Sequence, residues 1–92
     1  MLWMTFAADR SLGRPRVAFA LSRRRGTAVE RNRVRRRLRA VFREVAADLA
    51  PGRYLVGVRA PASAVTYRPA RAELVRLLRA AEALDSSRDS RP

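Results

Sequence analysis

Residues 31–39 read RNRVRRRLR, and six of these nine side chains are arginine guanidinium groups. A guanidinium is a planar fork of five N–H donors that grips phosphate through paired hydrogen bonds and stacks on nucleobases. Because arginine stays protonated in proteins, it cannot act as a general base at neutral pH. This stretch indicates recognition of a polyanion. How well the arginines bind one depends on whether the backbone that carries them is rigid or flexible.

Classical catalysis has few candidate groups in this sequence. Histidine and cysteine are absent, and all 21 basic residues are arginine, so the usual bases and nucleophiles are missing. The eight carboxylates are scattered, without the two or three converging acids of a metal-dependent nuclease. We therefore expect no catalytic residue, no metal site and no small-molecule cofactor in the chain itself.

The positive charge is concentrated in about a third of the chain. Residues 10–43 hold 13 arginines and one acid, Glu30, for a net charge of +12. The other 58 residues hold 8 arginines and 7 acids, for a net charge of +1. Codon bias in a GC-rich genome would scatter its arginines, so the clustering indicates a polyanion-binding surface. Nucleic acid is favoured over an acidic membrane as the partner.

The bulk composition restricts the class of protein. A chain of 92 residues forms one domain with a modest core, and 48% hydrophobic residues exclude a wholly disordered chain. No apolar run approaches the ~20 residues that span a bilayer. The start, MLWMTFAAD, lacks the basic residues and cleavage site of a signal peptide. The lack of cysteine excludes disulfides and is compatible with a reducing interior such as the bacterial cytoplasm, which is the location we expect.

A long helix is predicted to begin after Thr27. Thr27 and Glu30 have the spacing of a capping box, and no proline interrupts residues 28–49. One side of this helix carries an apolar stripe, whose burial contributes ~1.5–3 kcal/mol per side chain. The stripe consists of Val34, Leu38, Val41, Phe42, Val45 and Leu49. The arginines then project from a rigid helix rather than from a flexible tail.

Three short strands are predicted to accompany this helix. Residues 2–8 and 16–22 form two of them, joined by a hairpin loop at residues 9–15. Residues 54–58 form a mostly apolar third strand, expected to be buried on both faces. Trp3 and Phe6 have opposite parity in the first strand, so one of them is expected to face away from the core. There it could stack on an unpaired base, with core packing as the alternative for each.

A second helix is predicted from Tyr67 to about Leu84, followed by a disordered polar tail at residues 85–92. The predicted fold class is α+β, with residues 1–84 as a single RNA-binding domain. It comprises a small mixed sheet of three to four strands with two helices over one face.

The stretch from residue 16 to residue 46 resembles the protein subunit of bacterial ribonuclease P. In that family a strand ending in serine and basic residues leads through glycine into a helix with an Arg-Asn-Arg signature. The matching residues, in order, are Ser22, Arg23, Arg24, Gly26, Ala28, Val29, Arg31, Asn32, Arg33, Val34, Arg36, Leu38, Arg39 and Phe42. Residues 54–81 resemble the final strand and closing helix of the family.

The resemblance implies a protein subunit of a ribonucleoprotein endonuclease. In that family the protein binds a large catalytic RNA, which uses its bound magnesium to remove the 5′ leader from precursor tRNA. Catalysis and magnesium are thus expected in the RNA subunit. The residues implied to contact that RNA are Arg31, Asn32, Arg33, Arg35, Arg36, Arg37, Arg39 and Arg43. Those implied to line a leader-binding cleft between sheet and helix are Phe6, Ser22, Arg23, Arg24 and Arg59.

Two further expectations come from the resemblance. The family has a left-handed βαβ crossover, against the general right-handed rule, and here it would span residues 16–58. Family members also begin with a basic segment and a helix ahead of the first strand, whereas this sequence starts almost on that strand. We expect that the start codon has been assigned too late, because loss of this helix would expose part of the sheet.

Two other functions fit the same basic surface. A ribosome-associated RNA-binding module of similar fold, without a role in tRNA processing, would differ in its partner and not in its surface. A DNA-binding regulator with residues 28–49 as the recognition helix fits less well. Arginines surround three sides of that helix, and it carries little of the side-chain variety that reads base edges.

Overall fold

The computed structural model describes residues 1–83, so the predicted tail at 85–92 lies outside the described residues. The second helix, predicted to run to about Leu84, ends at Ala80 and is followed by a turn. The elements in chain order are β1 (Leu2–Ala8), β2 (Pro15–Ala20), α1 (Ala28–Val45), β3 (Gly52–Val58) and α2 (Tyr67–Ala80). Short 3-10 turns occupy residues 10–12, 23–25, 46–48 and 62–64. The predicted α+β class, with a mixed sheet and two helices, is confirmed.

The sheet has the order β1-β3-β2, so the predicted hairpin between the first two strands is wrong. β3 pairs antiparallel with β1 and parallel with β2, and its Tyr54 lies between Phe6 and Val17. The connection from β1 to β2 therefore passes across the end of β3, where the Asp9 amide donates to the Pro51 carbonyl at 3.0 Å. As the central strand, β3 is hydrogen-bonded along both of its edges and is the most buried of the three strands. The left-handed course of the β2–α1–β3 crossover stays a prediction.

One face of the sheet is covered by both helices, and the other is open. On the covered face Tyr54, Val56 and Val58 of β3 are buried in the core. On the open face Arg53 is exposed and Leu55 is 37% exposed. The expectation that β3 is buried on both faces therefore holds for one face only, since a single helix layer covers the sheet.

α1 is held against the sheet by its apolar stripe. Val34, Leu38, Val41 and Phe42 are buried, while Val45 packs at the edge of the core. The helix ends at Val45, four residues earlier than predicted, and a 3-10 turn at residues 46–48 follows. Leu49 is nevertheless buried. Tightening the last turn keeps its side chain on the core while the chain turns toward β3.

Aromatic rings link α1 to the strands beneath it. The Phe42 ring meets Phe19 of β2 and Tyr54 of β3 edge-on, at centroid distances of 6.2 and 5.8 Å. Phe6 of β1 stacks on Tyr54 at 4.6 Å. The Tyr54 hydroxyl donates to the Ala50 carbonyl at 2.6 Å, and burial raises the pKa of Tyr54 to about 12. These contacts set the position of α1 across the sheet.

Candidate nucleic-acid interface

The start of α1 is fixed by the predicted capping box. The Glu30 amide donates to the Thr27 hydroxyl at 3.2 Å, and the Thr27 amide donates to the Glu30 carboxylate at 2.9 Å. The bonds to Thr27, and secondarily the charge of Arg33, hold the pKa of Glu30 below its ordinary value. With its first turn capped and its underside buried, α1 presents each arginine in a set direction.

On the side of α1 toward β2, three arginines form a row. The Arg35 guanidinium donates to the Asn32 side-chain oxygen at 3.0 Å. One turn later, the Arg39 guanidinium lies 5.6 Å from the centroid of the Phe19 ring, in cation–π contact. Arg43, a further turn along, is exposed. Asn32, Arg39 and Arg43 are open to solvent, and Arg35 is half-buried.

On the side toward α2, the arginines meet the loop that precedes α2. The Arg37 guanidinium donates to the Val65 carbonyl at 2.8 Å, which holds that side chain against the loop. Arg33 and Arg37 line a small hollow together with Glu30, Ala62 and Ser63. Of this pair, Arg33 is exposed and available to a ligand, whereas Arg37 is half-buried.

Arg31 and Arg36 occupy opposite sides of α1. Arg36 is exposed on the outer side of the helix. Arg31 lies near the apolar stripe, is half-buried, and its Nε atom is enclosed without a hydrogen-bond partner in the described part of the chain. The predicted contact set therefore divides into an exposed group (Asn32, Arg33, Arg36, Arg39 and Arg43) and a half-buried group (Arg31, Arg35 and Arg37).

The carboxylates among residues 1–83 form no ion pairs with the exposed arginines of α1. Glu30 serves the cap, and Glu44 binds Arg71 of α2, whose Nε donates to it at 2.5 Å. The remaining ion pairs within residues 1–83 join Asp9 to Arg53, and Glu73 to the amino terminus and Arg76. None of them involves an arginine of α1, so that helix carries a strongly positive surface.

The turn before α1 adds a second group of arginines. Residues 23–25 form a 3-10 turn in which Arg23 and Arg24 are exposed. The Arg25 guanidinium donates to the Arg59 carbonyl at 2.6 Å, which ties the turn to the end of β3. The structure thus brings Arg23, Arg24 and Arg59, three residues of the predicted leader cleft, to one end of the molecule.

Of the two aromatic residues in β1, Trp3 faces the open side of the sheet. It pairs with Gly57, and a Cβ atom at Gly57 would lie 2.0 Å from the Trp3 ring, so only glycine permits this approach. Phe6 lies three residues further along β1, on the helix-covered face. About 10 Å of strand and the thickness of the sheet therefore separate the two side chains.

The indole of Trp3 borders a hollow of about 530 Å³ at the end of β2, here called the indole hollow. Of the predicted leader-cleft residues, Ser22 lines it and Phe6 does not. The full lining is Trp3, Phe19, Ala20, Leu21, Ser22, Arg25, Arg35 and Val58. Strand parity indicated that one aromatic would face outward, and the structure shows that it is Trp3.

A second depression lies between β2 and α1 and is here called the strand–helix groove. Its volume is about 410 Å³. The lining residues are Arg14, Pro15, Val17, Phe19, Arg39, Phe42, Arg43, Ala46 and Leu49. Sequence reasoning missed Arg14, because it placed residues 9–15 in a hairpin between β1 and β2. A basic residue flanking a predicted strand next to an arginine-rich helix was the available signal.

The sequence of this chain matches a known protein family. The sequence profile of the ribonuclease P family matches residues 2–82, nearly the whole chain. The chain belongs to the ribonuclease P protein family.

Curated members of the ribonuclease P family show where the similarity extends. The ribonuclease P protein component of Geobacillus sp. strain WCH70 is 37% identical over 70 residues, which cover 75% of this chain and 60% of that protein. The component from Xanthomonas euvesicatoria pv. vesicatoria is 44% identical over 71 residues, which cover 76% of this chain and 49% of that protein. The chain thus spans about half the length of the curated relatives it matches.

Solved structures of ribonuclease P proteins share the fold. The 2.0 Å structure of the Staphylococcus aureus RNase P protein superposes on this chain with a TM-score of 0.81 and a sequence identity of 21%. The superposition covers 91% of this chain and 77% of that one. At this identity the likeness demonstrates the fold alone. It places the three-stranded sheet and two helices within the ribonuclease P protein architecture.

Residues 1–83 of this chain lack both a metal-binding cluster and a membrane-spanning helix. Among residues 1–83, no three carboxylate, imidazole or thiol side chains come together in a way that could hold a metal ion. Within the same residues, neither helix has the length and apolar character needed to cross a membrane.

Proposed function

We propose that this chain is the RNA-binding protein subunit of a bacterial ribonuclease P, and that it supports removal of the 5′ leader from precursor tRNA in the cytoplasm. The observation that carries the proposal is the surface of α1. Four exposed arginines there, Arg33, Arg36, Arg39 and Arg43, form no ion pair with a carboxylate among residues 1–83. Membership of the ribonuclease P family supports the assignment.

In this proposal α1 contacts the RNA subunit. Its exposed side chains, Asn32, Arg33, Arg36, Arg39 and Arg43, meet phosphates directly. The half-buried Arg31, Arg35 and Arg37 add positive charge and, through the bond from Arg37 to Val65, hold α1 against the neighbouring loop. Each phosphate contact formed in this way is expected to add about 0.7–0.9 to the slope of log affinity against log salt.

The 5′ leader is proposed to pass the end of the sheet where β2 and β3 finish. Ser22, Arg23, Arg24 and Arg59 lie together there, beside the indole hollow. An unpaired base could stack on Trp3 while the arginines hold its phosphates. Phe6, on the covered face of the sheet, contributes to the support of Tyr54 in this arrangement.

The proposal places catalysis and magnesium in the RNA subunit. The described residues offer no group of acids that fits a metal ion. In this proposal the protein acts by binding and orienting RNA, and we expect the 92-residue chain alone to cleave no RNA. Metal-dependent cleavage of precursor tRNA by RNA-free, purified protein would contradict this placement.

The decisive experiment is reconstitution with the cognate ribonuclease P RNA. Leader removal from precursor tRNA is measured at low magnesium, with and without the protein. The proposal predicts that the protein accelerates cleavage, since its arginines offset repulsion between the phosphates of enzyme RNA and substrate. No acceleration, combined with tight binding to ribosomal RNA, would instead favour the ribosome-associated module.

A further inference from the structure

The strand–helix groove has a chemical character that the proposed RNA contacts do not use. Its floor is apolar and includes the half-buried Phe19 ring, with the buried Phe42 ring packed edge-on behind it. Arginines stand at its rim: Arg39 and Arg43 from α1, and Arg14 from the connection between β1 and β2. No carboxylate lines it. An anion with an apolar, flat portion matches these two features.

The volume and the exposure of the strand–helix groove also suit a small anionic ligand with a flat, apolar portion. A volume of about 410 Å³ falls within the ~300–1,000 Å³ of typical small-molecule sites, and it exceeds what a single side chain would fill. Phe19 and Val17 are only half-buried, so the floor is open to a ligand. The three rim arginines are all exposed.

The groove is separate from the predicted leader cleft. Apart from the shared Phe19, its lining has no residue in common with the indole hollow, and none of Ser22, Arg23, Arg24 and Arg59 takes part in it. It adjoins the C-terminal half of α1, whereas the leader-cleft residues cluster before the start of that helix. Arg39 and Arg43 belong both to the groove and to the exposed arginine surface, so the two are continuous.

We propose that the strand–helix groove is a nucleotide subsite that holds one unpaired base of the bound RNA. The base packs against the half-buried Phe19 ring, and its flanking phosphates meet Arg14, Arg39 and Arg43. The Arg39 guanidinium now lies over the Phe19 ring, 5.6 Å from its centroid, so a bound base takes its place there and leaves this exposed guanidinium within reach of a neighbouring phosphate. This inference rests on the proposed function, since it requires that α1 binds RNA.

The first test separates base binding from phosphate binding. An oligouridylate of about eight nucleotides is compared with an abasic oligonucleotide of equal length and charge. Ala46 is exposed and lines the groove, so Ala46→Leu fills it without a change in charge. Ala47 is exposed in the same 3-10 turn and does not line the groove, so Ala47→Leu is the matched control.

We expect Ala46→Leu to lose about fivefold or more in affinity for the oligouridylate, the effect of one stacked base. Its affinity for the abasic oligonucleotide should equal that of the parent, and Ala47→Leu should match the parent with both. Equal affinities of Ala46→Leu and parent for the oligouridylate would overturn the inference, as would equal losses with both oligonucleotides. Thermal unfolding confirms that the variants are folded.

The second test concerns the rim. Arg14→Gln removes a groove arginine, and Arg10→Gln removes an exposed arginine from the same connection that does not line the groove. A photo-reactive uridine in the oligonucleotide is expected to cross-link to Phe19 in the parent and in Arg10→Gln, with yield lowered several-fold in Arg14→Gln. Cross-links confined to residues outside the groove would contradict the subsite.

The outcomes for the subsite and for the proposed function can be told apart. If the protein accelerates reconstituted leader removal but Ala46→Leu binds both oligonucleotides as the parent does, only the subsite fails. If the protein neither binds ribonuclease P RNA nor accelerates cleavage, the proposed function fails, whatever the oligonucleotide result.

Discussion

The two helices of this protein are both rich in arginine, yet their surfaces differ. α1 carries seven arginines in 18 residues, and α2 carries four in 14. In α2, Arg71 binds Glu44, and Arg76 lies 4.0 Å from Glu73. In α1 the two acids sit near the ends, where Glu30 serves the cap and Glu44 faces α2. The position of the acids, more than the number of arginines, distinguishes the two surfaces.

The comparison also extends to how each helix is held. α1 has a complete capping box and packs across two strands through Phe42. α2 begins at Thr66 without a side-chain capping bond and packs its Ala70, Leu74 and Leu78 into the core beside β1. A helix whose start and underside are both fixed offers a more rigid array of charges, which lowers the entropy lost when RNA binds.

The largest effect is expected from the underside of α1. Leu38 is fully buried, so Leu38→Ala should lower the free energy of unfolding by about 2–5 kcal/mol. Urea denaturation followed by circular dichroism measures this. Leu74→Ala in α2 is the matched variant, since Leu74 is equally buried, and a similar loss is expected. A loss below about 1 kcal/mol for Leu38→Ala would show that α1 does not depend on its stripe.

The exposed arginines provide the next test. Arg33→Gln combined with Arg36→Gln should weaken binding to ribonuclease P RNA by about a hundredfold, because two charge-assisted contacts are lost. The salt slope should fall by about 1.4–1.8. Filter binding at several salt concentrations measures both quantities.

The control for this variant comes from α2. Arg68→Gln combined with Arg76→Gln removes the same charge from exposed positions, and we expect less than about a tenfold change. Equal losses for the two pairs would mean that net charge alone governs binding and that the distinction between the helices has no consequence.

A smaller effect is expected at the helix starts. Thr27→Ala removes a formed capping bond and should cost about 1 kcal/mol of unfolding free energy. Thr66 makes no such bond, so Thr66→Ala should cost no more than a few tenths of a kcal/mol. Thermal denaturation compares the two variants, and a reversed order would refute the assignment of the cap.

The capping carboxylate should make the stability of α1 depend on pH. Because the pKa of Glu30 is lowered in the folded protein, its stabilisation is present above about pH 4.5 and is lost as the pH falls through the lowered value. The parent should therefore be more stable than Glu30→Gln at pH 7, with the difference shrinking toward pH 3. A difference that stays constant over this range would contradict the role of the charge.

The smallest effect is expected when an acid is removed between the helices. Glu44→Gln frees Arg71 from its ion pair and should raise affinity for ribonuclease P RNA by about twofold. Glu82→Gln, at an exposed position beyond α2, is the control for the change in net charge. A larger increase with Glu82→Gln would show that the pairing of Arg71 does not limit binding.

The capping box and the apolar stripe of α1 were predictable because each depends only on residues that are close together in the sequence. The capping box at Thr27 and Glu30 depends on residues three apart, and the stripe from Val34 to Phe42 follows from helical periodicity. Strand positions in β1 and β3 followed from apolar runs in the same way. The end of α1 at Val45 was not predictable, since no proline or glycine marks it and the path into β3 decides it.

The arrangement of the interface was only partly predictable. Which arginines are exposed follows from helical phase, but the bond from Arg37 to Val65 joins residues 28 positions apart. Parity showed that Trp3 and Phe6 face opposite ways. Only the pairing of Trp3 with Gly57 shows why the indole can lie flat on the open face.

By itself, the sequence determined the elements, the anchored face of α1 and the surplus of arginine along it, because these depend on the order and type of neighbouring residues. The tertiary structure alone decided that β3 lies between β1 and β2, which makes the supposed hairpin a crossing connection. It alone placed Arg14 opposite Arg39 across an aromatic floor. Strand pairing and packing between distant segments depend on the burial of the whole core, and no local pattern encodes that choice.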